Sequence, residues 1–127
     1  MSTLAPATVA LLAVLGGVGA AARYLVDHLV SLRWSGSFPL ATLLINMSGS
    51  LLIGVLASTI GPDRGGLYAV GAVGFCGGYT TFSTAMVESV RLAREGAWRT
   101  SALATGGHLV LCVAAAALGV LIGGLLT

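Results

Sequence analysis

Long apolar stretches separated by short polar clusters make up the chain. Four such stretches are visible, at 7–30, 38–60, 66–90 and 100–126. Each reaches the roughly 20 residues that a helix needs to cross the hydrocarbon core of a bilayer. Only helices and closed barrels satisfy their backbone hydrogen bonds within lipid. The pattern therefore predicts an all-α integral membrane protein, with four transmembrane helices forming a single domain over 1–127.

The polar clusters have the composition of loops. They cover Ser31 to Ser37, Gly61 to Gly65 and Arg91 to Arg99, and they contain the glycine, proline and charged residues that turns favour. Connections this short make consecutive helices antiparallel neighbours. The first apolar stretch lacks a basic segment before it and continues through Tyr24 without a polar cleavage region. We therefore expect helix 1 to be retained rather than cleaved as a signal peptide.

Composition agrees with a membrane protein. Hydrophobic residues make up 57% of the chain and charged residues 8%, and the mean hydropathy is +1.00, far from the values of a soluble domain. The net charge of +2 comes from scattered arginines rather than from the basic patch of a nucleic-acid-binding protein. Cys76 and Cys112 lie inside apolar stretches, so we expect free thiols rather than the disulfides of small secreted domains.

The third stretch contains the most unusual segment of the chain, Gly77 to Thr84, in which two adjacent glycines precede a cluster of hydroxyl residues. Paired glycines weaken a helix. A break near Gly77–Thr81 would free backbone groups that lipid cannot satisfy, so it is tolerated only where protein, water or an ion supplies partners. A continuous, slightly bent helix is the alternative, because serine and threonine can bond to their own preceding turn.

Asn46 is the only carboxamide in the sequence and lies in the middle of the second stretch. Thr42 and Ser50 lie one turn before and after it, on the same helical face. A lone asparagine in a membrane helix most often makes an interhelical hydrogen bond. The polar stripe formed with Thr42 and Ser50 favours a second interpretation, in which Asn46 lines a pathway.

Other polar residues in the apolar stretches have simpler explanations. Arg23 has Asp27 at i+4, which permits a side-chain pair, but snorkelling to the headgroups near a helix end gives Arg23 a structural role first. His108 and Cys112 are also at i and i+4, a spacing that would suit a soft metal. Two ligands on one helix do not make a metal cage, so we assign no metal to this pair.

Glycine is abundant, with 19 residues. Gly74/Gly78 and Gly119/Gly123 have the small-xxx-small spacing that lets membrane helices approach closely. Four helices are too few to enclose a selective aqueous path, so we expect the functional unit to be a dimer or larger.

Three segments, 16–24, 42–50 and 74–84, together resemble the CrcB/Fluc fluoride channels. The match runs through helices 1 to 3 in register, and the third segment is highly specific. The resemblance implies an antiparallel dimer with two fluoride pores. It also implies a structural sodium ion at the dimer centre, held by backbone oxygens at the helix 3 break, for which Gly77 and Thr80 are the matching residues.

The resemblance also implies a fluoride path. Asn46 and Phe82 would line it, with an amide N–H and the positive edge of an aromatic ring replacing water around a small anion. Thr42 and Ser83 would extend this polar track.

The chain departs from the family pattern at three positions. Ala85 occupies the position of a second pore phenylalanine, and His108 and Cys112 replace a tyrosine and a serine in helix 4. At least one pore would therefore lack part of its usual lining.

The arginines are unevenly distributed between the two sides of the predicted bundle. One side carries four loop arginines and the other carries Arg64 alone. The four are Arg33, Arg91, Arg94 and Arg99. The positive-inside rule then puts both termini outside the plasma membrane. A chain that inserts in both orientations should show almost no bias, so we expect a fixed orientation and, with the missing pore aromatic, a heterodimer with a homologous, oppositely oriented subunit.

These features favour passive, fluoride-selective export that lowers cytoplasmic fluoride, and we expect a channel rather than an enzyme. A structural subunit without its own complete pore is one alternative. A small four-helix proton-coupled exporter is another, and its membrane carboxylate would be Glu88. An enzyme using Ser83, His108 and Cys112 is the weakest, because no buried carboxylate is available to orient His108.

Overall fold

The computed structural model describes residues 4–127, apart from the side chain of Pro62. The described chain is all-helical, as predicted. Its helices are α1 (Pro6–Ser31), α2 (Leu40–Thr59), α3 (65–79), α4 (Phe82–Arg94) and α5 (Trp98–Leu126). Three of them, α1, α2 and α5, are long and apolar enough to cross a membrane. The third predicted stretch is occupied by α3 and α4 together.

The winding of α3 is irregular. It follows a 3₁₀ turn at Pro62–Arg64, begins as an α-helix at Gly65–Tyr68, continues as a π-helix at Ala69–Cys76 and ends in an α-helical turn at Gly77–Tyr79. π-Helical turns are rare and are frequent at functional sites. This irregular helix leads directly into the two extended residues that precede α4.

The helices around the third loop are longer than the apolar pattern indicated. α4 continues to Arg94 and α5 begins at Trp98, so the expected loop from Arg91 to Arg99 is reduced to 95–97. Arginine is a good helix former, and positive charge in the last turn of α4 interacts favourably with the helix dipole. The charged residues therefore mark the end of the apolar stretch rather than the end of the helix.

Glycines bring helices into backbone contact at two places. A Cβ on Gly119 in α5 would collide with the carbonyl oxygen of Leu51 in α2. A Cβ on Gly78 in α3 would collide with the carbonyl oxygen of Gly16 in α1. These small residues give the close approach on which helix association in lipid depends.

The described chain has a small core. Within α1, Gly19 is the only buried residue. The thiols of Cys76 and Cys112 are both free, as predicted, and Cys76 is fully buried. The buried apolar side chains are those of Leu43, Ile45, Ala72, Cys76, Ala85, Leu92 and Ala104. Most other apolar side chains are thus available to lipid or to another subunit.

Candidate functional site between α3 and α4

Thr80 and Thr81 interrupt the helical path. Thr80 has φ −79° and ψ 159°, and Thr81 has φ −149° and ψ 117°, both extended. The hydroxyl of Thr80 donates to the carbonyl oxygen of Cys76 (2.9 Å) at the end of α3. The hydroxyl oxygen of Thr81 accepts a hydrogen bond from the backbone N–H of Thr84 (3.2 Å). Thr81 is therefore the N-cap of α4, a position that threonine favours.

Asn46 reaches this interruption from α2. Its Nδ2 donates to the carbonyl oxygen of Thr81 (2.9 Å), and its Oδ1 accepts from the backbone N–H of Thr81 (2.8 Å). The carboxamide thus pairs with both backbone groups of one extended residue, as a neighbouring strand would. A carboxamide has two N–H donors, so one donor remains after this pair has formed.

The interruption changes the partners of two backbone carbonyls. In a continuous α-helix, the carbonyl of Gly77 would accept from the N–H of Thr81, and that of Thr80 from the N–H of Thr84. Instead, the Thr81 N–H donates to Asn46, and the Thr84 N–H donates to the Thr81 hydroxyl. The carbonyl oxygens of Gly77 and Thr80 are thereby released from helical pairing. Unwound carbonyls of this kind are suitable ligands for sodium.

Two further contacts fix the end of α3 against α2. A Cβ on Gly49 would collide with the methyl group of Thr80, so a glycine is needed for this approach. The hydroxyls of Ser48 and Tyr79 are hydrogen-bonded at 2.9 Å. Three residues of α2, Asn46, Ser48 and Gly49, therefore contact the interruption or the end of α3 and position them.

A cavity of about 510 Å³ lies beside the interruption, and we call it the histidine-side cavity. It brings Asn46 and Phe82 together with Ala85, His108 and Cys112, the three residues that the sequence predicted to depart from the family pattern. The cavity is lined by Asn46, Ser50, Ile53, Thr80, Thr81, Phe82, Ala85, Met86, Thr105, Gly106, His108, Leu109 and Cys112. Among the described residues, no carboxylate or arginine side chain lines it.

His108 is the buried titratable side chain of this cavity, with 7% of its surface exposed. Its Nδ1 lies 2.8 Å from the carbonyl oxygen of Ala104. Because a carbonyl oxygen only accepts, Nδ1 carries a proton, and in the neutral imidazole Nε2 then has the lone pair. Nε2 is buried and has no hydrogen-bond partner among the described residues.

A second cavity, of about 300 Å³, shares Thr81 with the first, and we call it the arginine-side cavity. Thr42, which is 2% exposed, lines this cavity. Oε2 of Glu88 is buried and has no hydrogen-bond partner within the described part of the chain. The lining residues are Ala20, Arg23, Tyr24, Asp27, Thr42, Ile45, Thr81, Thr84 and Glu88.

The predicted pathway residues are thus divided between different surroundings. Asn46 and Phe82 line the histidine-side cavity, and Thr42 lines the arginine-side cavity. Ser83 is exposed and lines neither of the two, and the same is true of Gly77, which was predicted as a sodium ligand. In the described chain, part of the predicted fluoride pathway is therefore exposed at the surface.

Thr81 was missed by sequence reasoning, although it contacts Asn46 and lines both cavities. One local signal was available, because a threonine three residues before another polar residue at the start of a helical stretch is typical of an N-cap. Nothing in the local sequence indicated the hydrogen bonds between Asn46 and Thr81.

A sequence profile described as "CrcB-like protein, Camphor Resistance (CrcB)" matches residues 10–120. The chain belongs to the CrcB family. One CrcB relative, the fluoride-specific ion channel FluC 1 of Leifsonia xyli subsp. xyli, is 42% identical over 124 residues, which cover 96% of this chain and 90% of the relative. FluC 2 of Cutibacterium acnes is 43% identical over 111 residues, or 85% and 90% of the two chains. FluC of Coxiella burnetii is 42% identical over 111 residues, or 84% and 90%.

These CrcB relatives are ion channels, which are not enzymes. The resemblance to the CrcB/Fluc family that the sequence indicated is therefore confirmed. All residues lining the two cavities lie within the CrcB match. With three helices able to cross a bilayer, this CrcB protein is a membrane protein.

Proposed function

We propose that the chain conducts fluoride passively and selectively across the plasma membrane and so lowers cytoplasmic fluoride. The observation that carries this proposal is the hydrogen-bonded pair of Asn46 and Thr81, which joins an interrupted helix to the wall of a cavity. Relatives that match nearly the whole chain are named fluoride-specific ion channels. Conduction of this kind requires no catalytic residue.

In this proposal Asn46 and Phe82 bind the anion as it passes. Asn46 has one N–H donor beyond its pair with Thr81, and Phe82 offers the positive edge of its ring. Thr42 and Ser83 extend the polar track. In this proposal the fluoride path runs through both cavities. Thr81 supports such a route because it lines each of them.

We further propose that an antiparallel second subunit completes the path. Phe82 is 78% exposed in the single chain, and Gly77, Ser83 and Thr84 beside it are also exposed. Irregular backbone and polar side chains at membrane depth need protein or water around them, because lipid offers no hydrogen-bond partners. A second subunit over this face would cover the interruption and supply the other wall of the path.

A structural sodium ion at the dimer centre belongs to the same proposal. The carbonyl oxygens of Gly77 and Thr80, which are released from helical pairing, would hold it. The ion would supply positive charge to oxygens that lipid cannot satisfy.

The arginine distribution supports a heterodimer rather than a homodimer. Arg91 and Arg94 lie at the end of α4, and Arg99 lies at the start of α5, on the side predicted to carry Arg33. By the positive-inside rule this side is cytoplasmic and both termini are outside. The oppositely oriented position would then belong to a homologous subunit.

Two alternative functions each have one supporting observation. A structural subunit without a complete pore is supported by Ala85, which occupies a lining position of the histidine-side cavity with a small side chain. A proton-coupled exporter is supported by the buried, unpartnered Oε2 of Glu88, since a carboxyl group in such a site can carry a proton.

Fluoride efflux from liposomes, followed with a fluoride electrode, tests the proposal. The chain is reconstituted alone and together with a homologous CrcB chain of opposite arginine bias, without a pH gradient and with chloride as the control anion. We expect fluoride efflux with both chains, none with this chain alone, and no chloride efflux.

Each other outcome has a distinct meaning. Efflux from this chain alone would establish a self-sufficient homodimer and contradict the heterodimer. Absence of efflux in both preparations would contradict fluoride conduction by this chain. Efflux that appears only with an imposed pH gradient would favour the proton-coupled exporter, in which Glu88 would carry the proton.

A further inference from the structure

The histidine-side cavity contains three side chains that can bind a soft metal ion, two through sulfur and one through an imidazole nitrogen. His108 and Cys112 come from α5, and Met86 comes from α4. We propose that these three side chains form a binding site for a soft monovalent cation of the Ag⁺ or Cu⁺ class. The site differs from the proposed sodium site in its donors, which are one nitrogen and two sulfur atoms instead of carbonyl oxygens.

In its neutral form, His108 has the tautomer of a metal ligand. Its Nδ1 proton is donated to the backbone carbonyl of Ala104 (2.8 Å), which is the usual way in which a protein fixes a metal-binding imidazole. The remaining nitrogen, Nε2, has a buried lone pair without a partner among the described residues. A buried acceptor without a partner costs free energy, and coordination to a cation removes that cost.

Cys112 supplies the charge that selects a monovalent ion. It lies one turn after His108, a spacing that separates Cβ atoms by about 5–6 Å, and the hydroxyl of Ser50 lies beside its thiol. On binding, the S–H bond breaks, its proton leaves to the solvent, and the thiolate bonds to the cation. The exchange of a proton for a monovalent cation leaves the net charge unchanged. A divalent ion would add an uncompensated charge to a cavity that no carboxylate lines, which is costly in an apolar interior.

Met86 is the third donor and lies on the opposite helix. The described residues contain no cluster of three His, Cys, Asp or Glu side chains that could hold a metal ion, so the Met86 thioether supplies the third ligand. Thiolate and thioether sulfur select Cu⁺ over harder ions, and imidazole is compatible with copper. The unbranched methionine side chain can adapt its position to the ion.

The proposed metal site does not depend on fluoride conduction. If the chain does conduct fluoride, metal binding at this site should reduce the fluoride flux. Asn46 and Phe82 line the same cavity as the three soft ligands. If the chain conducts as proposed above, a cation fixed there closes the path.

Titration of the purified full chain with silver nitrate, by calorimetry in a chloride-free detergent buffer, tests the site directly. We compare Cys112→Ser, His108→Gln and Met86→Leu with matched variants at the other described cysteine, histidine and methionine. These controls are Cys76→Ala, His28→Gln and Met47→Leu. Gel filtration of each variant checks that it elutes as the wild type does.

We expect one Ag⁺ bound per chain and an affinity at least about tenfold weaker in Cys112→Ser and His108→Gln, as for the loss of a metal-site residue. The controls should bind within about twofold of the wild type, since they lie outside the site. X-ray absorption of the Cu⁺-loaded chain should lose one sulfur neighbour in Met86→Leu. The site is overturned if the wild type binds no Ag⁺, if binding is lost with Cys76→Ala and kept with Cys112→Ser, or if the Cu⁺ sulfur count is unchanged in Met86→Leu.

Discussion

In the proposed path, Asn46 uses its carboxamide for two purposes. Its oxygen and one N–H hold the backbone of Thr81 extended, and its second N–H would bind the anion in the histidine-side cavity. One side chain therefore both maintains the helix interruption and contributes to the wall of the proposed path. A substitution at this position can separate these roles, because only the N–H groups suit an anion.

Asn46→Asp keeps the shape of the side chain and an oxygen that accepts from Thr81. It removes the N–H donors and adds a negative charge to the path, where repulsion of an anion at 4 Å is about 4 kcal/mol for an effective dielectric constant of 20. We expect fluoride efflux from liposomes containing both subunits to fall at least about tenfold, since 1.4 kcal/mol already gives that factor.

The control for Asn46→Asp is assembly, measured by gel filtration of the complex. Reduced efflux with an unchanged elution volume supports a pathway role. Unchanged efflux from a correctly assembled complex would remove Asn46 from the path and leave it with its structural bond to Thr81.

Single residues were predictable where they contrasted with their apolar surroundings. Asn46 and the 77–84 segment were identified on that basis. The pairing of Asn46 with Thr81 was not predictable, because the two residues are 35 positions apart and meet only through the packing of α2 against α3 and α4. The arginine-side cavity was missed for the same reason, since Thr42, Thr81 and Glu88 come from distant parts of the chain.

At the scale of helices, the length of an apolar stretch predicted that a helix exists, but it did not predict how that helix is wound. The bounds of α1, α2 and α5 are close to the predicted stretches because a long apolar run in lipid has few other ways to pair its backbone. The π-helix at Ala69–Cys76 had no signal of its own in a run of glycine, alanine and valine. The arginines of α4 gave a misleading signal, since charge ends an apolar stretch without ending a helix.

The contact between α2 and α5 depends on a glycine that can be tested. Gly119→Ala adds a Cβ that collides with the carbonyl oxygen of Leu51, and overpacking of this kind costs about 1–3 kcal/mol. Gly124→Ala is the matched control in the same helix, because no atom lies within 4 Å of its Cβ position. There, alanine should stabilise the helix by roughly 0.5–1 kcal/mol.

Thermal unfolding in detergent, followed by circular dichroism, measures both glycine variants. We expect a lower midpoint temperature for Gly119→Ala and an equal or higher one for Gly124→Ala. Equal changes in the two variants would mean that the α2–α5 contact relaxes around a methyl group and does not depend on the absence of a side chain.

At the scale of the molecule, the described chain has its polar interruption at the surface. Phe82 is 78% exposed and Ser83 and Thr84 are exposed beside it, while α5 buries only four of its residues. The sequence already indicated that four helices are too few for a channel. The exposed interruption supports a location for the proposed second subunit, because its polar groups need a protein surface or water around them.

The orientation of the chain decides which partner can cover that surface. An antiparallel homodimer needs copies in both orientations, whereas a heterodimer needs this chain in one. If the arginines fix the orientation, a change in their distribution should change it. The predicted cytoplasmic side carries Arg33, Arg91, Arg94 and Arg99, and the opposite side carries Arg64.

Reporters fused to the C-terminus in separate fusion proteins measure the orientation, since alkaline phosphatase is active only outside the cytoplasm and green fluorescent protein fluoresces only within it. We expect phosphatase activity alone for the wild type. The combined variant Arg91→Ser, Arg94→Ser and Arg99→Ser leaves Arg33 opposed by Arg64, so both signals should appear. The control Arg64→Ser increases the bias and should keep the wild-type result.

Both signals from the wild type would contradict the fixed orientation, and the heterodimer with it, while fluoride conduction by a dual-topology homodimer would still be possible.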